Sequence, residues 1–580
     1  MRWIKGLFTI VGGIVVIGFL ITVLVNWYTR EQVPDETVLF LDLEQPIVES
    51  VQDDLLSEIM GDERLVLRDL VDAIDRAAGD QRVKGLVARV GAGEHGFGMT
   101  QEIRQAILRF RESGKPAMAF AETMGELQPA NQDYYLATAF DRIFLQESGA
   151  VGLVGLAAET PFARDTLEKL DIEPRLSARG DYKTVTNTLT ERAFTDAHRE
   201  VEQALVDDLF TVLVDAIGQA RGIDAGELRS LIDGGPFIGE AALDAGLVDG
   251  FAYRDQVTDM MEGEVGGFES LPAEAYLRLA GRPHQNGTGV ALIHGSGQVV
   301  RGNGNAASPM GDTRMGSDAM TRAFKGAIED DDIQAIVFRI DSPGGSAVAS
   351  DTIWRLTHMA REAGKPVVAS MGNVAASGGY YAAMPADRVI AQPGTFTGSI
   401  GVAGGKLVTA PFWQENLGVR WDMVTTSENA TMYSLLFDYT ELGWQRHEQW
   451  LNATYAQFVG KAAADRGMPE EAMHQVARGR VWTGNQALGH GLVDELGGYH
   501  EAWMAVRELL DLEADAPLHI RPFPPPRGLL EILAEGDIPG APGAMPIRQL
   551  ESLQGVIEQL QRAGLLGHRH ALESTPRDVR

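Results

Sequence analysis

Ser377 stands in the stretch Val374-Ala375-Ala376-Ser377-Gly378-Gly379-Tyr380-Tyr381. Small neighbours leave its hydroxyl approachable and permit a tight strand-to-helix turn with the Gly378 N–H facing outward. A serine so placed can cap the following helix, attack a carbonyl, or do both. Attack needs a base. His358, His447, His474, His490 and His500 occupy the same half of the chain, yet none has an acidic neighbour that would orient it, and each reads as a scattered surface histidine. Lysine is the other choice, and the chain has nine. Most other positive charge is arginine, which stays protonated. Lys183, in Gly180-Asp181-Tyr182-Lys183, borders a β-branched stretch. A buried lysine can shed its proton near neutral pH, whereas an exposed one cannot, and spacing alone does not place Lys183 beside Ser377. A third feature is Asp341-Ser342-Pro343-Gly344-Gly345 before a helical stretch. Free N–H groups there could hold an oxyanion or simply form a turn.

Other chemistries are excluded by the residues present. There is no cysteine, so thiol nucleophiles, zinc–thiolate sites and disulfides are out. No G-x-S-x-G elbow occurs, no H-E-x-x-H helix, and no Walker A sequence, since Gly404-Gly405-Lys406 is followed by leucine.

The elements that must position these residues are written twice. Val83–Val90 parallels Ile333–Ile340, each a short apolar run that predicts a buried strand. Gly-Lys-Pro at 114–116 and again at 364–366 ends a helix in each copy. "ANQDYYLATAFDRI" (130–143) parallels "ASGGYYAAMPADRV" (376–389), and "GLVDG" at 246 parallels "GLVDELGG" at 491. Strands alternating with helices predict an α/β fold with a largely parallel sheet in each copy. The expected division is 1–28 as cytoplasmic N-terminus and anchor, 29–280 and 281–520 as the two repeats, and 521–580 as a Pro-rich connector with a helix and tail.

The formal net charge is −31, from 81 acidic and 50 basic residues. That argues against nucleic acid as a partner, which requires a basic face. Residues 7–27 carry no charge, and Arg2 and Lys5 precede them. About 20 apolar residues cross a bilayer as a helix, and the positive-inside rule puts the N-terminus in the cytoplasm. A cleaved signal peptide would want small residues at its cleavage site, but the first alanine is Ala73.

"SPGGS" (342–346), the run from Ser370 to Val402, and "RGRVWTGNQALGHGLVD" (478–494) resemble the catalytic domain of the signal peptide peptidase A family. These are serine proteases with a Ser–Lys dyad on a ClpP/crotonase-like fold. The duplicated layout and apolar N-terminus resemble the family's double-length form. The resemblance implies two tandem ClpP/crotonase-like repeats behind one transmembrane helix. It makes Ser377 the nucleophile and Lys183, from the first repeat, the general base. Ser399 in "TGSIG" would orient the lysine, and the N–H groups of Gly345 and Gly378 would form the oxyanion hole. Asn131 would stand at the nucleophile position of the first repeat, with Leu153 near that of Ser399. Glu428 or a neighbour would stand where a second-repeat lysine would be. No metal or cofactor is implied. Expected partners are peptides, in particular remnant signal peptides, adding a strand beside Val367–Asn373. The inner membrane and a homotetramer are expected too, with the catalytic repeats in the periplasm. An acyl-CoA enzyme of the same fold, or a scaffold with Ser377 and Lys183 too far apart to react, are the rival readings.

Overall fold

The computed structural model describes residues 32–50, 65–91, 93, 95–304 and 313–525. The apolar stretch at 7–27 and the tail beyond Pro525 lie outside them. Among the described residues no helix is long and apolar enough to cross a membrane.

In the first repeat, strands and helices alternate as the apolar runs predict. The main elements are β1 (Thr37–Asp42), α1 (Leu67–Gly79), β2 (Val83–Arg89), α2 (Phe97–Glu112), β3 (Ala117–Ala121), α3 (Asn131–Ala137), β4 (Arg142–Leu145), β5 (Glu173–Arg179), α4 (Asp196–Arg221), β6 (Gly250–Phe251), α5 (Arg254–Val265) and β7 (Glu269–Pro272). Six of the strands form a parallel sheet in the order β6-β4-β3-β2-β1-β7.

The second repeat runs β8 (Thr288–Ser296), α6 (Ser317–Glu329), β9 (Ile333–Ser342), α7 (Ala347–Glu362), β10 (Val367–Ala376), α8 (Gly378–Ala383), β11 (Arg388–Ala391), β12 (Phe396–Gly398), β13 (Val402–Val408), α9 (Glu441–Asp465), β14 (Val481–Thr483), β15 (Glu495–Leu496), α10 (Tyr499–Leu509) and β16 (Leu518–Phe523). Its sheet has the order β14-β12-β10-β9-β8-β16, with β11 between β10 and β15. Arg521, Pro522 and Phe523 pair with Ala291, Leu292 and Ile293. The segment read as a Pro-rich connector therefore begins as the sheet's edge strand, a place where a proline can sit without costing a ladder hydrogen bond.

The duplication reaches individual side chains. Lys115 Nζ donates to Ala77 O and Asp80 O, both at 2.7 Å. Lys365 Nζ donates to Ala327 O and Asp330 O at 2.9 and 2.7 Å. Each Gly-Lys-Pro thus ends its own helix, and its lysine also caps the carbonyls ending α1 or α6. Tyr134 and Tyr380 donate to Leu247 O and Leu492 O. Arg221 pairs with Asp249 as Arg466 does with Asp494.

The repeats share one core. Leu70 and Ile74 of α1 and Ile103 and Phe110 of α2 are continuous with Leu292, Val337 and Val368 of the second sheet and with Trp503 and Val506 of α10. Helices of the first repeat therefore lie against the sheet of the second. Within this apolar contact Arg339, fully buried on β9, donates to Glu49 Oε1 and Oε2, Glu102 Oε2 and Ser370 Oγ at 2.8–2.9 Å. Both glutamates belong to the first repeat. A buried charge is tolerated only when paired and hydrogen-bonded, so this network fixes where the repeats meet. A second tie is antiparallel: all seven residues of β5 pair with β13, from Glu173↔Val408 to Arg179↔Val402.

Candidate active site

The β5–β13 ribbon decides what reaches the centre of the molecule. At one end Arg179 sits opposite Val402. Lys183 lies four residues beyond Arg179, and Ser399 three residues before Val402. A lysine of the first repeat is thereby carried to a serine of the second. Its Nζ lies 2.9 Å from Ser399 Oγ, 3.0 Å from Ser399 O and 3.0 Å from Ser377 Oγ. The structure thus brings together the five residues to which the resemblance gives site roles, Lys183, Ser377, Ser399, Gly345 and Gly378.

Ser377 joins β10 to α8. Its N–H donates to Gly398 O at 2.8 Å, which holds the turn against β12. Its backbone is at φ 53°, ψ −114°, a region costing of order 1–3 kcal/mol for a non-glycine residue. Its side chain accepts no capping bond from α8, so the hydroxyl is free for the lysine. In the first repeat the residue before α3, Ala130, is at φ −133°, ψ 34°, and neither it nor Asn131 has a positive φ. Counting back from Tyr134 and Tyr380, Asn131 is in register with Ser377. Its amide fastens a loop instead, donating to Gly155 O and accepting from Val154 N and Gly155 N. The strained turn is present in the repeat that carries the serine.

The Gly344-Gly345 loop is tied down on both sides. Val299 N donates to Gly344 O and Ser346 N to Val299 O, each at 2.9 Å. Ser342 Oγ accepts from Gly344 N. The N–H groups of Gly345 and Gly378 donate to no protein acceptor among the described residues. They lie close together, since a Cβ on Gly378 would come within 3.1 Å of Gly345 N. Two unpaired donors beside a serine hydroxyl can hold a developing oxyanion.

Burial alone pushes the Lys183 amine down from 10.5 to about 8. A substantial fraction is then neutral at mildly alkaline pH. With Ser399 O and Oγ taking its two hydrogens, the lone pair of the neutral amine is left for the Ser377 hydroxyl proton. Histidine plays no part in this arrangement. His358 pairs with Asp465 and His474 with Tyr455, while His447 and His490 pack on aromatic rings. The sequence reading gave His358 no acidic partner; Asp465, on α9, is one that only the fold supplies.

One expectation fails. A peptide cannot add beside Val367–Asn373, because β10 is interior: β9 covers one edge, and β11 and β12 share the other. A run of small and β-branched residues does not reveal whether a strand lies inside or at an edge.

Peptidase family S49 matches residues 109–266 and 359–513, one segment in each repeat. The chain belongs to that family. As an S49 member it is a serine-type endopeptidase, and the resemblance drawn from its motifs holds across both repeats. Similar proteins include the chloroplastic serine protease SPPA of Arabidopsis thaliana, 31% identical over 468 residues, covering 78% of this chain and 67% of that one. Protease 4 of Salmonella typhi is 31% identical over 463 residues, covering 77% and 72%. Protease 4 of Haemophilus influenzae is 28% identical over 489 residues, covering 80% and 76%. The S49 segments contain Ser377, Ser399 and Lys183.

Proposed function

We propose that this S49 peptidase is anchored by residues 7–27 in the inner membrane and degrades cleaved signal peptides with a Ser377–Lys183 dyad. The observation that carries the reading is the 3.0 Å approach of Lys183 Nζ to Ser377 Oγ across the repeat boundary. Neutral Lys183 removes the Ser377 hydroxyl proton as Oγ attacks the peptide carbonyl. Gly345 and Gly378 N–H receive the oxyanion, each donor worth about 3 kcal/mol in the transition state. The lysine returns its proton to the leaving amine, and water releases the acyl-enzyme. Ser399 orients the lysine. On this reading 29–280 supplies the base and 281–520 the nucleophile, although the second sheet extends through Phe523.

The catalytic form is the neutral amine, so kcat/KM should rise with pH through one ionisation near 8 and fall tenfold per unit well below it. A pH profile on a fluorogenic apolar peptide checks this, and a flat profile between pH 6 and 9 would exclude Lys183 as the base. The substrate strand has outer edges to use on the β5–β13 ribbon, which carries no third strand among the described residues.

A homotetramer is supported by surface left uncovered. Leu417, Trp421, Met423, Val424, Tyr433 and Leu435 are exposed. The first repeat also has a cleft of about 620 Å³ lined by Glu122, Leu127, Ser148, Val154 and Ile238. Ser148 corresponds to Gly394 of the second repeat, since each lies two residues after Gln146 or Gln392. Gly394 is covered by Phe97 and Gln101 of α2. A second copy would cover the cleft in the same way. Sedimentation of the detergent-solubilised protein tests it: a tetramer is expected for the native chain, and Leu127→Glu with Ile238→Glu should dissociate it. A native monomer would remove this part of the reading.

A further inference from the structure

We propose that Tyr182, gripped between Arg478 and Arg480 of the second repeat, is the positioning residue that sets Lys183 against Ser377. The inference rests on Lys183 being the base. The main-chain ladder between the repeats ends at Arg179–Val402, so Lys183 arrives on a short tether beyond the last cross-strand pair. Its register must come from a local grip, and residues 478–480 provide one. Arg478 Cζ lies 5.2 Å and Arg480 Cζ 4.9 Å from the Tyr182 ring centroid, both within cation–π reach. Tyr182 N donates to Arg478 O at 3.0 Å. Its hydroxyl donates to Glu200 Oε2 at 3.1 Å, and Arg480 donates to Glu200 Oε1 at 2.5 Å. Arg478 also bonds Asp181.

The same three residues hold the other side of the site. Ser399 N donates to Arg480 O at 2.7 Å, and Gly479 N donates to Ile400 O at 2.8 Å. The lysine and the serine that orients it are therefore both referenced to one short segment. Gly479 is required between the two arginines. At φ +78° a Cβ there would sit 2.5 Å from Lys183 Cβ. Gly180, at φ +92°, likewise has no room for a side chain against the Arg478 carbonyl.

Lys183, whose amine burial alone shifts downward, is the next residue after the ring. The charged groups around it are Asp181, Glu200, Arg478 and Arg480, and they are satisfied pairwise. Among the described residues Nζ hydrogen-bonds only Ser377 and Ser399. Loosening the ring should therefore let Lys183 leave its buried position and return toward its ordinary value rather than expose it to a new charge.

The test compares wild type, Tyr182→Leu, Tyr182→Phe and Lys183→Ala on one fluorogenic peptide across pH 6–10. Tyr182→Leu should lower kcat by roughly tenfold to a hundredfold with KM little changed, as a misplaced catalytic group does. Its pH midpoint should move upward. Tyr182→Phe, which keeps the ring, should restore both. If Tyr182→Leu fails to fold, the surface change Arg478→Gln carries the same expectation in smaller degree. Wild-type kcat and midpoint in Tyr182→Leu, or in that substitute, with Lys183→Ala inactive, would overturn the clamp and leave the dyad standing. An active Lys183→Ala would overturn both.

Discussion

Ser377→Ala and Lys183→Ala will each reduce peptide hydrolysis by about 10⁴-fold or more, and the double variant will be no worse than either single one. Members of one catalytic unit are not additive, because removing either stops the same step. What remains is the contribution of binding and the oxyanion donors. The lysine variants carry a second, opposite signature. The folded-state value of about 8 lies below the unfolded value near 10.5. The native state therefore resists protonation: stability is lost as pH falls from about 10.5 to about 8, and the loss is complete below that. Lys183→Met removes this cost and should stabilise the protein at pH 6 by up to roughly 3 kcal/mol, read as a higher denaturant midpoint. An inactive variant that is more stable than wild type is what a lysine held for chemistry predicts. A surface lysine would give neither effect.

Arg339→Met should destabilise the docked repeats by about 3–5 kcal/mol. The arginine is fully buried and the carboxylates of Glu49 and Glu102 are nearly so. Burial already pushes Glu102 upward with Arg339 beside it. Without the guanidinium, two carboxylates would face each other in an apolar contact. Burial would then hold Glu102 further above its ordinary value, so the defect should worsen as pH rises through the carboxylate range and shrink as pH falls through it. Activity should drop as well, because the docking that places Lys183 by Ser377 depends on this contact. Adding Glu49→Gln and Glu102→Gln should recover part of the stability, since the penalty lies in unpaired charge rather than lost packing. Equal denaturant midpoints for Arg339→Met and wild type would show that the network does not hold the repeats together.

The contrast between these two sites shows what a sequence displays. The α/β repeats were legible because apolar runs, Gly-Lys-Pro stops and tyrosine pairs recur about 250 residues apart. Ser377 and the paired glycines were legible as candidates because they lie in turns whose small residues signal close approach, whereas Ser399 came from family resemblance. Lys183 could be placed only through family resemblance, as its burial is created by a segment almost 300 residues away. The Arg339–Glu49–Glu102 network left no trace, since three ordinary charged residues gain their meaning only when the two repeats meet. Edge and interior strands also look alike in composition. β10 was therefore mistaken for a peptide-binding edge, and Pro522 suggested a connector where the fold has an edge strand.

The central claim, a nucleophile and base drawn from different repeats, is tested most directly by labelling. The intact protein is treated with a peptidyl phosphonate, and the modified residue and its rate of modification are measured by mass spectrometry from pH 6 to 10. One adduct is expected, on Ser377, formed at a rate that rises through an ionisation near pH 8 and falls to background in Lys183→Ala. Label on another serine, or equally fast labelling of Ser377 without Lys183, would contradict it.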